Sequence, residues 1–99
     1  MKSLRIERMT PADWVRVRTL RLRALEDAPD AFGTTLAEDR ALPLGDWRAR
    51  LEDESHVTFV ARIENADVGL AVGSFYEGLA RTAGLFGMWV APSARGCAA

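Results

Sequence analysis

The feature that most constrains the fold is an amphipathic segment, residues 11–28, in which apolar side chains recur every three or four residues. On a helix with 3.6 residues per turn these side chains share one broad face, and charged side chains occupy the opposite face. The apolar face consists of Trp14, Val17, Leu20, Ala24, Leu25 and Ala28. Most of the stability of such a helix comes from packing this face. We therefore expect it to lie on a sheet formed by the rest of the chain.

The residues around this segment define where the helix begins and ends. Thr10 is a suitable N-cap, Pro11 occupies the first helical position, and Asp13 completes a pattern resembling a capping box. Pro29 disfavours a helical conformation at the residue before it, so the helix is predicted to end there. A second, shorter helix is predicted from the spacing of Leu44, Trp47 and Leu51, after a loop at residues 30–42.

The remaining segments alternate apolar and polar residues with a period of two, which is typical of strands with one buried face. A turn is expected at residues 65–67, and a loop is expected around Glu77 and Gly78. Short connections favour antiparallel pairing of the last three strands. The sequence therefore predicts an α+β fold in the order β-α-α-β-β-β, with a mostly antiparallel sheet and helices packed on it. The predicted strands are residues 4–9, 56–63, 68–76 and 83–90.

Composition excludes several classes of function. The 99 residues are 48% hydrophobic and 27% charged, as in a globular domain, and the net charge of −1 argues against a nucleic-acid or anionic membrane surface. With one cysteine, Cys97, and one histidine, His56, neither an internal disulfide nor a zinc site of the usual kind is expected. No apolar run approaches the roughly 20 residues that a membrane span requires, so we expect a cytoplasmic protein.

The end of the last predicted strand carries the main functional signal. Residues 85–90 are nearly all apolar and lead into a Pro92-Ser93 turn and an Arg95-Gly96 step. A strand followed by such a turn is typical of loops whose backbone N–H groups bind an anion at the start of a helix. The pattern indicates a ligand with a pyrophosphate at one end.

Three segments together resemble the GNAT (GCN5-related) N-acetyltransferase family. Residues 21–33 resemble the first helix and substrate-side loop, residues 68–73 the third strand, and residues 85–96 the fourth strand entering the acetyl-CoA loop. The family pattern in that loop is Gln/Arg-x-x-Gly-x-Gly/Ala. On this chain Arg95 takes the first position, Gly96 and Cys97 take the free positions, and Ala98 stands where the family has glycine.

The resemblance implies an acetyl-CoA-dependent transfer of an acetyl group to a primary amine, without a metal and without an acyl-enzyme. The cosubstrate would contact this chain along the strand and the loop, while Phe32 and Gly33 would line the pocket of a small-molecule or peptide acceptor. The expected acetyl-CoA contacts are Met88, Trp89, Val90, Arg95, Gly96, Cys97 and Ala98. The resemblance names no catalytic residue on this chain.

The resemblance also predicts that the domain is incomplete. The loop pattern would continue past Ala99, and an alanine at position 98 places a Cβ where backbone amides must approach a pyrophosphate closely. We therefore expect residues 1–99 to be the N-terminal portion of a GNAT domain, with its C-terminal portion missing and with little or no activity by itself. The apolar strand at residues 85–90 would then be open to self-association.

Other interpretations stay open at this stage. The chain could be a non-catalytic fragment or interaction module that pairs through an exposed sheet edge, or a small ligand-sensing domain unrelated to acetyl transfer. Glu77 is either a general base or a solvated loop residue, and His56 is either a base or a solvent-facing residue at the start of a strand. Arg21, inside the apolar face of the first helix, either extends to solvent or binds a carboxylate from a substrate or from the protein.

Overall fold

A four-stranded antiparallel sheet, whose strands lie side by side in their order along the chain, forms the centre of the part of the protein that the structure describes. The structure, a computed structural model, describes residues 3–76 and 82–95. The predicted α+β class with an antiparallel sheet is confirmed. The strands are β1 at Leu4–Arg8, β2 at His56–Ile63, β3 at Ala66–Tyr76 and β4 at Thr82–Val90.

Three helices connect β1 to β2, where the sequence predicted two. A 3-10 turn at Pro11–Asp13 leads into α1 at Trp14–Asp27, and α3 spans Leu44–Glu52, both close to their predicted bounds. The predicted loop at residues 30–42 is wrong in part, because it contains the six-residue helix α2 at Leu36–Ala41. This helix is held by its caps and not by an apolar stripe, so hydrophobic periodicity does not reveal it.

The helices α1 and α3 cover one face of the sheet and enclose the core. Strand residues that lie opposite one another, such as Val60, Leu70 and Trp89, are buried there. From α1 the core receives Val17, Leu20, Ala24 and Leu25, as the apolar stripe predicted. Of the three tryptophans, Trp47 and Trp89 are buried and Trp14 is half-buried.

The opposite face of the sheet, which we call the open face, carries apolar side chains that remain exposed. The alternation along each strand places them one residue away from the buried rows; Phe59, for example, pairs with Ala71, which pairs with Met88. The strand neighbours of Phe59, Met88 and Val90 are buried on the helical face, so these three side chains must point the other way. The register places Ile6 opposite Ala61 in the same row, with Leu4 two residues before it. Among the residues whose side chains are described, the exposed apolar members of the open face are Leu4, Ile6, Phe59, Met88 and Val90.

Two local features of the sheet differ from regular strand pairing or from the predicted bounds: the turn between β2 and β3, and a bulge in β4. The turn expected at residues 65–67 lies one residue earlier, because Ile63 pairs with Ala66 and leaves only Glu64 and Asn65 to connect β2 with β3. Glu64 has a φ of 55°, in the left-handed region that such a tight connection requires. In β4, the register passes from Val72 opposite Gly87 to Gly73 opposite Leu85, so the strand contains a bulge.

Candidate functional site

The end of β4 is fixed in position by hydrogen bonds to the neighbouring strand and by a buried turn. The backbone N–H of Ala91 donates to the carbonyl of Val68 at 2.7 Å, and the chain then forms a 3-10 turn at Pro92–Ala94. Ala91 and Ala94 are both buried against the core. The chain therefore leaves the sheet at a defined place and direction, as the start of a ligand-binding loop requires.

A carboxylate at the end of α1 connects the helix to this region. One oxygen of Asp27, Oδ2, accepts a hydrogen bond from Trp89 Nε1 at 2.9 Å and another from Arg95 Nη2 at 2.6 Å. The hydrogen bond from Trp89 and the guanidinium of Arg95 lower the pKa of Asp27. Arg95 also donates from Nε to the carbonyl of Val90 at 3.0 Å. Sequence analysis missed Asp27, because its partners lie 62 and 68 residues away along the chain.

The residues predicted to contact acetyl-CoA differ in the exposure and direction of their side chains. The side chains of Met88 and Val90 lie on the open face and are exposed, whereas the indole of Trp89 is buried toward α1. Arg95 is exposed and directed back toward β4 by its two hydrogen bonds. The other predicted contacts, Gly96, Cys97 and Ala98, lie outside the described residues.

The predicted acceptor-side loop packs directly on β4. Phe32 is buried, and a Cβ added to Gly87 would lie 2.5 Å from its Cδ1 atom, so the ring rests on the strand where there is no side chain. The guanidinium carbon of Arg21 lies over the Phe32 ring, 4.8 Å from its centroid. Gly33 is exposed beside it. Of the two predicted residues, one is part of the core cluster and one faces solvent.

Arg21 does not extend to solvent; it pairs with a buried carboxylate. Its Nε donates to Asp39 Oδ2 at 2.8 Å, and Arg50 Nη2 donates to the other oxygen of Asp39 at 3.1 Å. Thr34 accepts from Arg21 and donates to Asp39. Burial alone would raise the pKa of Asp39, but the hydrogen bond from Arg50, the charge of Arg21 and the Thr34 hydroxyl outweigh it and keep the pKa below its usual value. Burial lowers the pKa of Arg21.

The remaining sequence candidates give no catalytic grouping. His56 is exposed, and its Nδ1 lies 3.1 Å from an oxygen of Asp53, in agreement with its interpretation as a solvent-facing residue. Glu77, the other candidate base, lies outside the described residues. Within residues 3–76 and 82–95, no cluster of three or more His, Cys, Asp or Glu side chains is placed to bind a metal ion. In that same part of the chain, no helix is long and apolar enough to cross a membrane.

Comparisons with known proteins give their signal at the level of three-dimensional structure. No protein-family model matches the chain, and no curated protein sequence matches it significantly. Among solved structures, the chain is similar to the aminoglycoside N-acetyltransferase AAC(6′)-Iy in complex with the bisubstrate analogue CoA-S-monomethyl-acetylneamine. The TM-score is 0.67 with 22% sequence identity, covering 95% of this chain and 61% of that one.

Two further structures extend the likeness. An aminoglycoside acetyltransferase from an uncultured soil metagenomic sample gives a TM-score of 0.76 at 16% identity, covering 95% of this chain and 62% of that one. A predicted acetyltransferase from Clostridium acetobutylicum, solved with acetyl-CoA, gives 0.66 at 18% identity, covering 95% and 64%. The chain thus has the acyl-CoA N-acyltransferase fold of the GNAT proteins, which confirms the predicted resemblance in fold. It spans about three fifths of the length of these structures.

Proposed function

We propose that residues 1–99 form the N-terminal portion of an acetyl-CoA-dependent N-acetyltransferase domain whose acceptor is the amine of a small molecule. The observation that carries this proposal is the end of β4, where Val90 and the Pro92–Ala94 turn lead into an arginine held at the strand end. The likeness in fold to acetyltransferases supports it, and the shorter length of this chain supports its assignment to part of a domain.

The outer edge of β4 fits the amide-bearing arm of a coenzyme. Among residues 3–76 and 82–95, β4 pairs only with β3, so the backbone groups on its other edge have no strand partner. An extended chain with amide groups binds such an edge as an added strand would. A backbone carbonyl oxygen has two lone pairs, and at Val90 one of them accepts the hydrogen bond from Arg95 Nε. The second is available to an N–H of the arm.

The chain's own contribution to the reaction would be to position the reactants. When bound, acetyl-CoA supplies a thioester whose acetyl group an amine can attack directly. The backbone at Met88 and Val90 would hold the arm, and the amides of residues 95–98 would face the pyrophosphate. Trp89 would contribute by fixing the strand from behind, since its ring is buried and its Nε1 donates to Asp27. On the acceptor side, we assign Phe32 to the wall and Gly33 to the exposed rim.

An amide-resolved titration with acetyl-CoA tests this proposal. We expect shifts at Met88, Val90 and residues 95–98, with a dissociation constant on the order of 1 mM, or about −4 kcal/mol. Acetyl-pantetheine should shift the β4 residues alone, and adenosine 3′,5′-bisphosphate should shift residues 95–98 alone. Saturation in the micromolar range would contradict the expectation that Ala98 weakens acetyl-CoA binding. Shifts confined to α3 would show that acetyl-CoA does not bind at the end of β4.

A second candidate function is that of an interaction module that pairs through β4, with a second copy of the chain as its partner. The observation in its favour is the combination of an unpaired strand edge, within the described residues, with the exposed Met88 and Val90 beside it. Uncovered edges and apolar patches of this kind are typical sites of strand-to-strand association. Both candidates use the outer edge of β4, so a competition experiment distinguishes them. If the edge binds acetyl-CoA, the cosubstrate should reduce association; if the edge serves only for pairing, acetyl-CoA should leave association unchanged.

A further inference from the structure

A cavity of about 210 Å³ lies on the helical face of the sheet, between α1, α3 and the central strands β2 and β3. Its apolar walls come from Val17 of α1, Leu51 of α3 and Val72 of β3. An apolar cavity of about 150 Å³ in a protein interior admits benzene, so this one has room for a ring with a short substituent. The cavity is therefore of the size that a small organic molecule, and not a single ion, would fill.

Thr58 of β2 supplies a hydroxyl to the sheet side of this cavity. Its side chain lies on the helical face, because it pairs with Val72, another lining residue, and its neighbour Phe59 is exposed on the open face. Thr58 is 9% exposed, and its hydroxyl has no hydrogen-bond partner within residues 3–76 and 82–95. It is not among the atoms of those residues that lack both a partner and accessible surface, so an atom in the cavity can reach it. Since buried polar side chains nearly always have a partner, we expect the cavity to hold one.

The charged side chains around the cavity are already paired with groups of the protein. Arg21 and Arg50 both donate to Asp39, which is fully buried. Asp53, an exposed residue of the cavity wall, accepts from the backbone N–H and the hydroxyl of Ser55 at 2.9 and 2.6 Å. A charged ligand would therefore lose its hydration on entry without meeting an unpaired counter-charge among these residues. The cavity favours a neutral ligand.

We propose that this cavity binds a neutral, mainly hydrocarbon molecule with one oxygen atom, which forms a hydrogen bond with the Thr58 hydroxyl. The hydrocarbon part lies among the apolar walls, which favour it in proportion to the surface that it removes from water. The hydroxyl of Thr58 both donates and accepts, so it fits the oxygen of an alcohol and fixes its orientation. The site is independent of the proposed acetyl transfer, since it shares no residue with the end of β4.

The test is a titration of the full chain with 2-phenylethanol, followed by nuclear magnetic resonance of the side-chain methyl groups. We expect nuclear Overhauser effects from the ring protons of the ligand to the methyl groups of Val17, Leu51 and Val72. Val68, which is buried near the start of β3 and does not line the cavity, should show none. Phenylacetate and 2-phenylethylammonium, which are of similar size but charged, should produce no such effects. Their absence with 2-phenylethanol, or equal effects with either ion, would overturn the proposal.

Two substitutions of threonine by valine test the role of the hydroxyl. Thr58→Val keeps the shape of the side chain, and should weaken binding of 2-phenylethanol about fivefold while leaving that of ethylbenzene, which has no oxygen, unchanged. Because the hydroxyl has no partner within the described residues, this variant should melt at or above the wild-type temperature. Thr19→Val, the same change at an exposed position of α1, should leave both affinities unchanged. An equal loss of both ligands in Thr58→Val, or no loss of 2-phenylethanol, would show that Thr58 does not bind the oxygen.

Discussion

Asp39 connects the three helices, because it lies on α2, is fully buried and pairs with two arginines that α1 and α3 contribute. Replacing Asp39 by Asn removes the charge and leaves Arg21 buried without its ionic partner. Loss of one member of a buried pair typically costs about 3–5 kcal/mol. We expect a decrease of that size in the free energy of unfolding, measured by urea denaturation.

A matched control for this substitution is Asp30→Asn, at an exposed position before the buried Phe32. It makes the same chemical change without a buried partner, so the free energy of unfolding should move by less than about 0.5 kcal/mol. Equal effects of the two substitutions would mean that the Asp39 pair contributes no more than a surface charge.

The same carboxylate should make stability depend on acid pH. The pKa of Asp39 in the folded protein is lowered from the ordinary 3.8. Its ionised form therefore stabilises the fold above that pH, and the contribution is lost as the pH falls through the lower, folded-state pKa. Unfolding free energies of the wild type and Asp39→Asn should differ by a constant amount above about pH 5 and converge below it. A difference that grows on acidification would contradict this sign.

At the scale of elements, the contact between the loop after α1 and strand β4 depends on the missing side chain of Gly87. In Gly87→Ala, the new Cβ would lie 2.5 Å from Phe32 Cδ1 and 2.6 Å from the carbonyl oxygen of Ala31. Because a backbone atom must then move, we expect the free energy of unfolding to fall by about 1–3 kcal/mol. Thermal denaturation monitored by circular dichroism measures the change.

The control for Gly87→Ala is Gly45→Ala in α3. Apart from its chain neighbours and the backbone of its own helix, no atom lies within 4 Å of a Cβ at this position, and alanine favours a helix over glycine by up to about 1 kcal/mol. This substitution should therefore raise the melting temperature while the other lowers it. If both substitutions raised it, the loop would not be packed on β4 as described.

At the scale of the whole molecule, helices cover one face of the sheet and the open face keeps its apolar side chains exposed. Met88 is 60% exposed and Val90 38%. Each such side chain forgoes part of the roughly 1.5–3 kcal/mol that full burial would give, which favours association through β4. We expect concentration-dependent association in sedimentation velocity experiments, and we expect the double substitution Met88→Lys, Val90→Lys to reduce it.

The control for the open face is Val15→Lys on α1, since Val15 is 57% exposed and lies on a helix. It adds a charge at an exposed apolar position away from β4, so association should persist. If the chain sedimented as a monomer at all concentrations, or if Val15→Lys dissociated it as well as the double variant, pairing through β4 would be wrong.

The sequence by itself determined the elements whose signals are local. The stripe of α1 and the alternation of β2 reflect a periodicity read over a few turns or pleats, and the structure reproduces both within two or three residues at their ends. The joint resemblance of residues 21–33, 68–73 and 85–96 to the GNAT family likewise led to the correct fold. The helix α2 was not predicted, because it is short and capped and its apolar residues do not recur with a helical period.

Only the tertiary structure decided which charged residues meet. Asp27 and Asp39 look in the sequence like any other acidic helix residues, yet one connects α1 to the end of β4 and the other lies between two arginines. The partners are separated by 11 to 68 residues, so no local pattern specifies them. For Asp39, which is fully buried, the physical reason is that burying a charge is favourable only where packing supplies its counter-charge and hydrogen bonds. That condition is met by the assembled helices and sheet together.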